Sequence, residues 1–198
     1  MKLGVLGGTF DPIHNGHLAI AGEALNKLLL DKVLFVPARQ QPLKDRDDVA
    51  PVGNRLKMIA LAIKDFPQFA LSTVETDSRG PNYTVDTLGK LQQQYSDAEL
   101  YFILGWDSLE ELPRWKRPDE IIRLCRIVAL TRNTVAVPQL KELEGVIPGL
   151  SQRLVLLDMA PVNISSTDIR SRLRAGLSIE GMVPPEVNKY IISHQLYR

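Results

Sequence analysis

Apolar and polar positions follow two different rhythms along this chain. Six short runs (2–6, 33–37, 70–73, 100–104, 127–131 and 153–157) are nearly continuous in apolar residues, the pattern of strands buried on both faces of a parallel sheet. Between them the spacing lengthens. Apolar residues at 18, 21, 25, 28 and 29 share one helix face, and 55–66 and 84–95 repeat that pattern. The order βαβαβαβ predicts an α/β fold: a Rossmann-like doubly wound parallel sheet flanked by helices, in one domain with a small C-terminal helical part. Such sheets bind ligands beyond the carboxyl ends of their strands, so residues just after strands carry the chemistry. Two stretches break the rhythm. Residues 38–53 hold two prolines and mixed charges, which suggests a substrate loop, and 133–152 read as a loop around a short helix.

Composition narrows the classes. The chain has 198 residues, with 24 Lys+Arg against 23 Asp+Glu, a formal net charge of +1. That balance argues against a nucleic-acid partner, which would call for a basic excess. The longest apolar run, 58–63, falls far short of the ~20 residues of a membrane span. Met1-Lys2-Leu3-Gly4 leads directly into the first strand without a signal-peptide pattern, so a cytoplasmic protein is expected. One cysteine, Cys125, excludes an intrachain disulfide and a cysteine metal cluster.

Gly7-Gly8-Thr9-Phe10-Asp11-Pro12-Ile13-His14-Asn15-Gly16-His17 follows the first strand. It fits neither the dinucleotide fingerprint nor the phosphate loop of nucleoside triphosphatases. Its physical content still suits a phosphate. Gly7 and Gly8 would let the backbone curve and a ligand approach closely, and a helix starting near Asn15 would turn its free N–H groups toward that ligand. His14 and His17, three apart, lie on one face of the first helical turn. They read as a polyanion site, with the alternative that one caps the helix and the other packs beneath the loop. A second helix start lies at Ile164-Ser165-Ser166-Thr167-Asp168-Ile169-Arg170. Ser165 to Asp168 has capping-box spacing, while the hydroxyl triplet and the planar fork of Arg170 suit phosphate oxygens.

These segments carry a family resemblance. The first resembles the H-x-G-H motif of the nucleotidyltransferase superfamily, and its longer form G-G-T-F-D-P-I-H-x-G-H is similar to nicotinate-nucleotide (nicotinic acid mononucleotide) adenylyltransferases. The second is similar to the superfamily's I-S-S-T-x-[IV]-R motif. Gly80-Pro81-Asn82-Tyr83-Thr84-Val85-Asp86-Thr87-Leu88 resembles the family's G-x-S-Y-T-x-D-T-L run, and Gly105-Trp106-Asp107-Ser108 its G-x-D segment. The terminal 183–192 segment is similar to its V-P-x-x-V-x-x-Y-I helix. The likeness spans essentially the whole chain.

It implies that AMP passes from ATP to the 5′-phosphate of nicotinate mononucleotide by direct in-line attack, giving nicotinate adenine dinucleotide and pyrophosphate. His14, His17 and Arg170 would be catalytic. Gly7, Gly8, Thr9, Phe10, Gly16, Gly105, Asp107, Ile164, Ser165, Ser166 and Thr167 would complete the ATP site with them. Lys44, Tyr83, Thr84, Trp115 and Arg132 would hold the acceptor, Trp115 stacking on the pyridine ring unless it is a core residue. Mg²⁺ would enter with ATP, without an all-protein metal site. The chain departs from the family's P-N-x-x-P-P-H-K at Ala38, Gln41 and Leu43 but keeps Lys44. Phosphopantetheine adenylyltransferase and a non-catalytic nucleotide-binding regulator are the competing readings. The sequence leaves a homo-oligomer open.

Overall fold

The computed structural model describes residues 1–39, 49–77, 82–131, 137–160 and 162–198. Its elements run β1 (Lys2–Gly8), α1 (Asn15–Leu28), β2 (Lys32–Pro37), α2 (Val52–Ile63), β3 (Phe69–Leu71), α3 (Thr84–Gln94), β4 (Glu99–Gly105) and α4 (Trp106–Glu111). A 3₁₀ turn (Leu112–Arg114) follows, then α5 (Pro118–Leu124), β5 (Cys125–Thr131), α6 (Val137–Val146), α7 (Leu150–Arg153), β6 (Leu154–Asp158), α8 (Ser166–Arg174) and α9 (Pro185–Ser193). All six expected strands form, and they make one parallel sheet in the order β3-β2-β1-β4-β5-β6. This is the strand order of a Rossmann-like fold. The chain reverses direction across the sheet between β1 and β4, where Val5 is in register with Leu34 on one side and Phe102 on the other.

The near-continuous apolar strands are explained by burial on both faces. Leu3, Val5, Leu34, Val36, Phe102 and Leu104 point into one core, shared with Leu88 and Leu91 of α3 and with Ile121 of α5. Their neighbours Leu6, Val33, Phe35 and Ile103 point into the other, shared with Met58 and Ile59 of α2, Ile169 of α8 and Val187 and Ile191 of α9. Each such side chain, fully withdrawn from water, contributes roughly 1.5–3 kcal/mol before entropy is counted. The C-terminal helices are thus part of the second core rather than an appendage. α9 packs on α2, and the chain beyond it returns to the loop after β1.

Three helices were not anticipated. α4, α5 and α7 span six, seven and four residues, too short to display two turns of periodicity. The third strand is also shorter than its apolar run, consistent with its place at the sheet edge. Among the described residues, no helix is long and apolar enough to cross a membrane.

Candidate active site

The loop leaving β1 turns at Phe10. Gly7 and Gly8 remain extended as the last residues of the strand, and Phe10 takes the left-handed backbone conformation (φ 50°). The expected curvature at the glycines is therefore corrected: they open the floor of the ligand cavity, and the turn comes two residues later. The Phe10 ring is likewise no ligand surface. It is buried, against Phe35 and edge-on to His17 at 4.9 Å, so it props the histidine from below.

His14 is the N-cap of α1 in extended backbone (φ −146°, ψ 170°), and His17 is the third residue of the helix. The His14 N–H donates to His17 Nδ1 at 3.2 Å. A neutral His17 must then carry its proton on Nε2. The two rings stack with centroids 3.7 Å apart. Gly16 makes this possible, since a Cβ there would sit 2.9 Å from His14 Nδ1. Burial lowers His14 to a pKa of about 4, and it holds His17 well below the usual imidazole range, with the charge of His14 lowering it further. Of the two readings of the pair, the capping contact is seen, made by the His17 side chain to the His14 N–H, and the two rings form a stacked, uncharged couple at a helix N-terminus. An arriving polyphosphate would reverse the balance, because its charge favours the imidazolium forms.

The second helix start meets the same loop. The Ser166 hydroxyl donates to the Pro12 carbonyl at 2.9 Å. Ser165 is the N-cap of α8, accepting from the Asp168 N–H at 3.0 Å, so its hydroxyl serves the helix. Thr167 is exposed on the first turn, and Ile164 packs against the core. Arg170 is buried; its Nη1 donates to the Asp11 carbonyl at 2.7 Å and lies 3.7 Å from the Asp11 carboxylate. Arg170 thus fastens the loop to α8. A partner that sequence reasoning missed is Arg55. It sits on the buried face of α2, donating to the carbonyls of Thr9 and Ala38 at 2.8 Å and of Ala50 at 3.1 Å.

A cavity of about 340 Å³ opens at the carboxyl ends of β1 and β4. Gly7, Gly8 and His17 line one part, and Tyr83, Thr84 and Trp115 another, with Gly105 from the end of β4 and Ser108 from α4. Trp115 is half-buried, edge-on to Phe102 at 6.0 Å, so it keeps a face toward the cavity while anchored to the core. Tyr83 caps α3, and the Lys116 ammonium lies 4.2 Å above its ring. Asp107 is exposed on the first turn of α4 and does not line this cavity. Lys44, Gln41, Leu43 and Arg132 fall outside the described residues.

Glu75 is a cavity residue with no sequence signal, since it follows the short β3 in an aperiodic segment. Burial raises its carboxyl, opposed by the Thr87 hydroxyl donating at 2.7 Å and by the charge of Lys90. Asn82 ties this segment to the loop after β2, donating to the Glu75 carbonyl and accepting the Arg39 N–H. Cys125 is buried and its thiol is pushed up to about 12, so it offers no thiolate nucleophile. Among the described residues, no three His, Cys, Asp or Glu side chains are grouped to hold a metal.

The cytidylyltransferase-like family description matches residues 5–172. A relative from Dehalococcoides mccartyi, bearing the name "Probable nicotinate-nucleotide adenylyltransferase", is 48% identical over 198 residues, covering 100% of this chain and 97% of its own. A relative of the same name from Roseiflexus sp. is 46% identical, over 99% of this chain and 98% of its own. The chain belongs to the cytidylyltransferase-like family, among its nicotinate-nucleotide adenylyltransferases. The fold is shared with a Plasmodium falciparum nicotinic acid mononucleotide adenylyltransferase complexed with NaAD. That likeness has a TM-score of 0.80 at 20% identity, over 99% of this chain and 97% of the other. This member of the nicotinate-nucleotide adenylyltransferases carries the two-histidine loop and the second helix start that gave the resemblance, and of the positions where it departs, Gln41 and Leu43 lie outside the described residues.

Proposed function

We infer that the protein is an enzyme that transfers AMP from ATP to the 5′-phosphate of nicotinate mononucleotide, releasing pyrophosphate, in NAD biosynthesis. The observation that carries this reading is the single cavity joining the His17 and Gly7–Gly8 floor to Tyr83, Thr84 and Trp115 at the strand-order switch point. An oxygen of the acceptor phosphate attacks the α-phosphorus of ATP as the bond from that phosphorus to the bridging oxygen of the β-phosphate breaks. Pyrophosphate leaves with the electron pair. The nucleophile is already an anion, so no general base is required. Positioning and charge stabilisation carry the rate.

In this scheme His17, its Nε2–H free of the Nδ1 capping contact, donates to the polyphosphate, and His14 stacks behind it and shares the charge. The N-termini of α1 and α8 add backbone N–H groups. Arg170 holds these two helix starts together through Asp11 and lends positive charge behind them. At the other end Trp115 stacks on the pyridine, and the start of α3 at Thr84 receives its carboxylate. Mg²⁺ would arrive on ATP and neutralise the leaving group, held by phosphate and water, since the nearby Asp11 carboxylate already serves Ala50 and Tyr197. The chain works as one nucleotidyltransferase domain in the cytoplasm.

The test is pyrophosphate release from ATP with nicotinate mononucleotide, nicotinamide mononucleotide and phosphopantetheine as acceptors. Nicotinate mononucleotide should give the highest kcat/KM. A preference for phosphopantetheine, or tight ATP binding with no release for any acceptor, would overturn the reading.

A further inference from the structure

Behind the histidine loop lies a buried polar cluster that the chemistry above does not use directly. Asp11 is its hub, with 2% of its surface exposed. Its carboxylate Oδ1 accepts the Ala50 N–H at 3.1 Å and the Tyr197 hydroxyl at 2.6 Å. Its own carbonyl accepts from Arg170 at 2.7 Å. Arg55, equally buried, grips the carbonyls of Thr9, Ala38 and Ala50 around it. Five segments therefore meet at one point: the loop after β1, the chain leaving β2, the approach to α2, α8, and the C-terminal tail.

Tyr197 is the last-but-one residue, 186 positions from its partner. The tail is shaped to deliver it. Gln195 and Tyr197 both take left-handed backbone conformations (φ 51° and 65°), unusual for side chains of this kind, and Tyr197 packs on the second core beside α9. Burial pushes its phenol well above the usual range, and the negative charge of Asp11 adds to this, so the hydroxyl stays a donor. A short hydrogen bond to a buried carboxylate is among the stronger kinds.

We propose that Tyr197 is a positioning residue for adenylyl transfer, acting through Asp11 to hold the histidine loop against the start of α8. Without the phenol, Asp11 Oδ1 loses the shorter of its two hydrogen bonds and keeps only the one from the Ala50 N–H, while Oδ2 stays 3.7 Å from Arg170. The loop then gains freedom between Phe10 and His14, and the stacked imidazoles lose their register with the Ser166 helix start. Neither Asp11 nor Tyr197 lines the cavity, so the effect belongs on turnover rather than on binding.

This rests on the activity inferred above, and Tyr197→Phe, which keeps the ring and removes only the hydroxyl, separates the two. We expect kcat to fall about tenfold, as for loss of one charge-assisted hydrogen bond, with KM for both substrates changed less than twofold. In an Asp11→Asn background the same substitution should cost less than half as much on a logarithmic scale, because the strong acceptor is already gone. A kcat within twofold of wild type overturns the proposal, as does a full tenfold loss in both backgrounds. The imidazole NMR signals of His14 and His17 in the nucleotide-free protein report the loop even if no adenylyl transfer is found. Displacement by Tyr197→Phe supports the proposal, and unchanged signals overturn it.

Discussion

The two ends of the cavity are built differently. At the phosphate end Asp11, Arg55, Arg170 and His14 are all buried, and the contacts of Asp11, Arg55 and Arg170 run between segments far apart in sequence. At the acceptor end Tyr83 and Trp115 are half-buried. The charges beside them form a surface cluster, Asp86 with Lys116 at 2.9 Å and with Arg117 at 2.7 Å, all about half exposed. A buried donor or acceptor that loses its partner costs far more than a surface ion pair contributes. The polyphosphate end is therefore locked, and the surface charges of the acceptor end can vary at little cost to the fold.

The contrast breaks most severely at Arg170. Arg170→Ala removes one of the two buried arginine charges that act on Asp11 and should cost about 3–5 kcal/mol of stability, read as a lower urea midpoint. Next is His17→Ala, expected to lower kcat by ~10²–10³ while ATP affinity falls much less, since one donor to developing charge is lost. Wild-type turnover in that variant would remove His17 from the chemistry.

The pH dependence of stability sharpens the same comparison. A folded His14 ionises near 4 and an unfolded histidine near 6.5, so on acidification the unfolded chain takes up its proton first. The ligand-free protein should lose about 3 kcal/mol from this residue as pH falls from 6.5 to 4. His14→Gln should flatten that loss, and an identical pH profile in the variant would contradict it.

The acceptor end should respond more mildly. Trp115→Ala should raise KM for the acceptor about tenfold, the worth of one aromatic stack, with the KM for ATP unchanged. Asp86→Ala should shift stability by less than ~1 kcal/mol.

This division also sets what the sequence could reveal. Strand positions were legible because burial on both faces leaves continuous apolar runs, and His14 and His17 because their spacing fixes a common helix face. The phosphate-end lock was not. Arg55 occupies a buried position on α2 that periodicity assigns to an apolar residue, and Tyr197 and Asp11 meet only through the tertiary fold. The Gly7–Gly8 pair suggested a bend, yet packing places the turn at Phe10, whose ring the core holds. Ser165 shows the same limit: the capping box and the phosphate motif share one spacing, and the hydrogen bond to Asp168 shows that its hydroxyl caps the helix.

The central claim is that two neutral, stacked imidazoles become a cationic site only when polyphosphate arrives. Histidine NMR titration of the protein, free and with a non-hydrolysable ATP analogue, tests it directly. Free His14 should titrate near 4, and the analogue should raise at least one of the pair by two pH units or more. Titration of both near 6.5 in the free protein, or pKa values that the analogue leaves unmoved, would contradict the account.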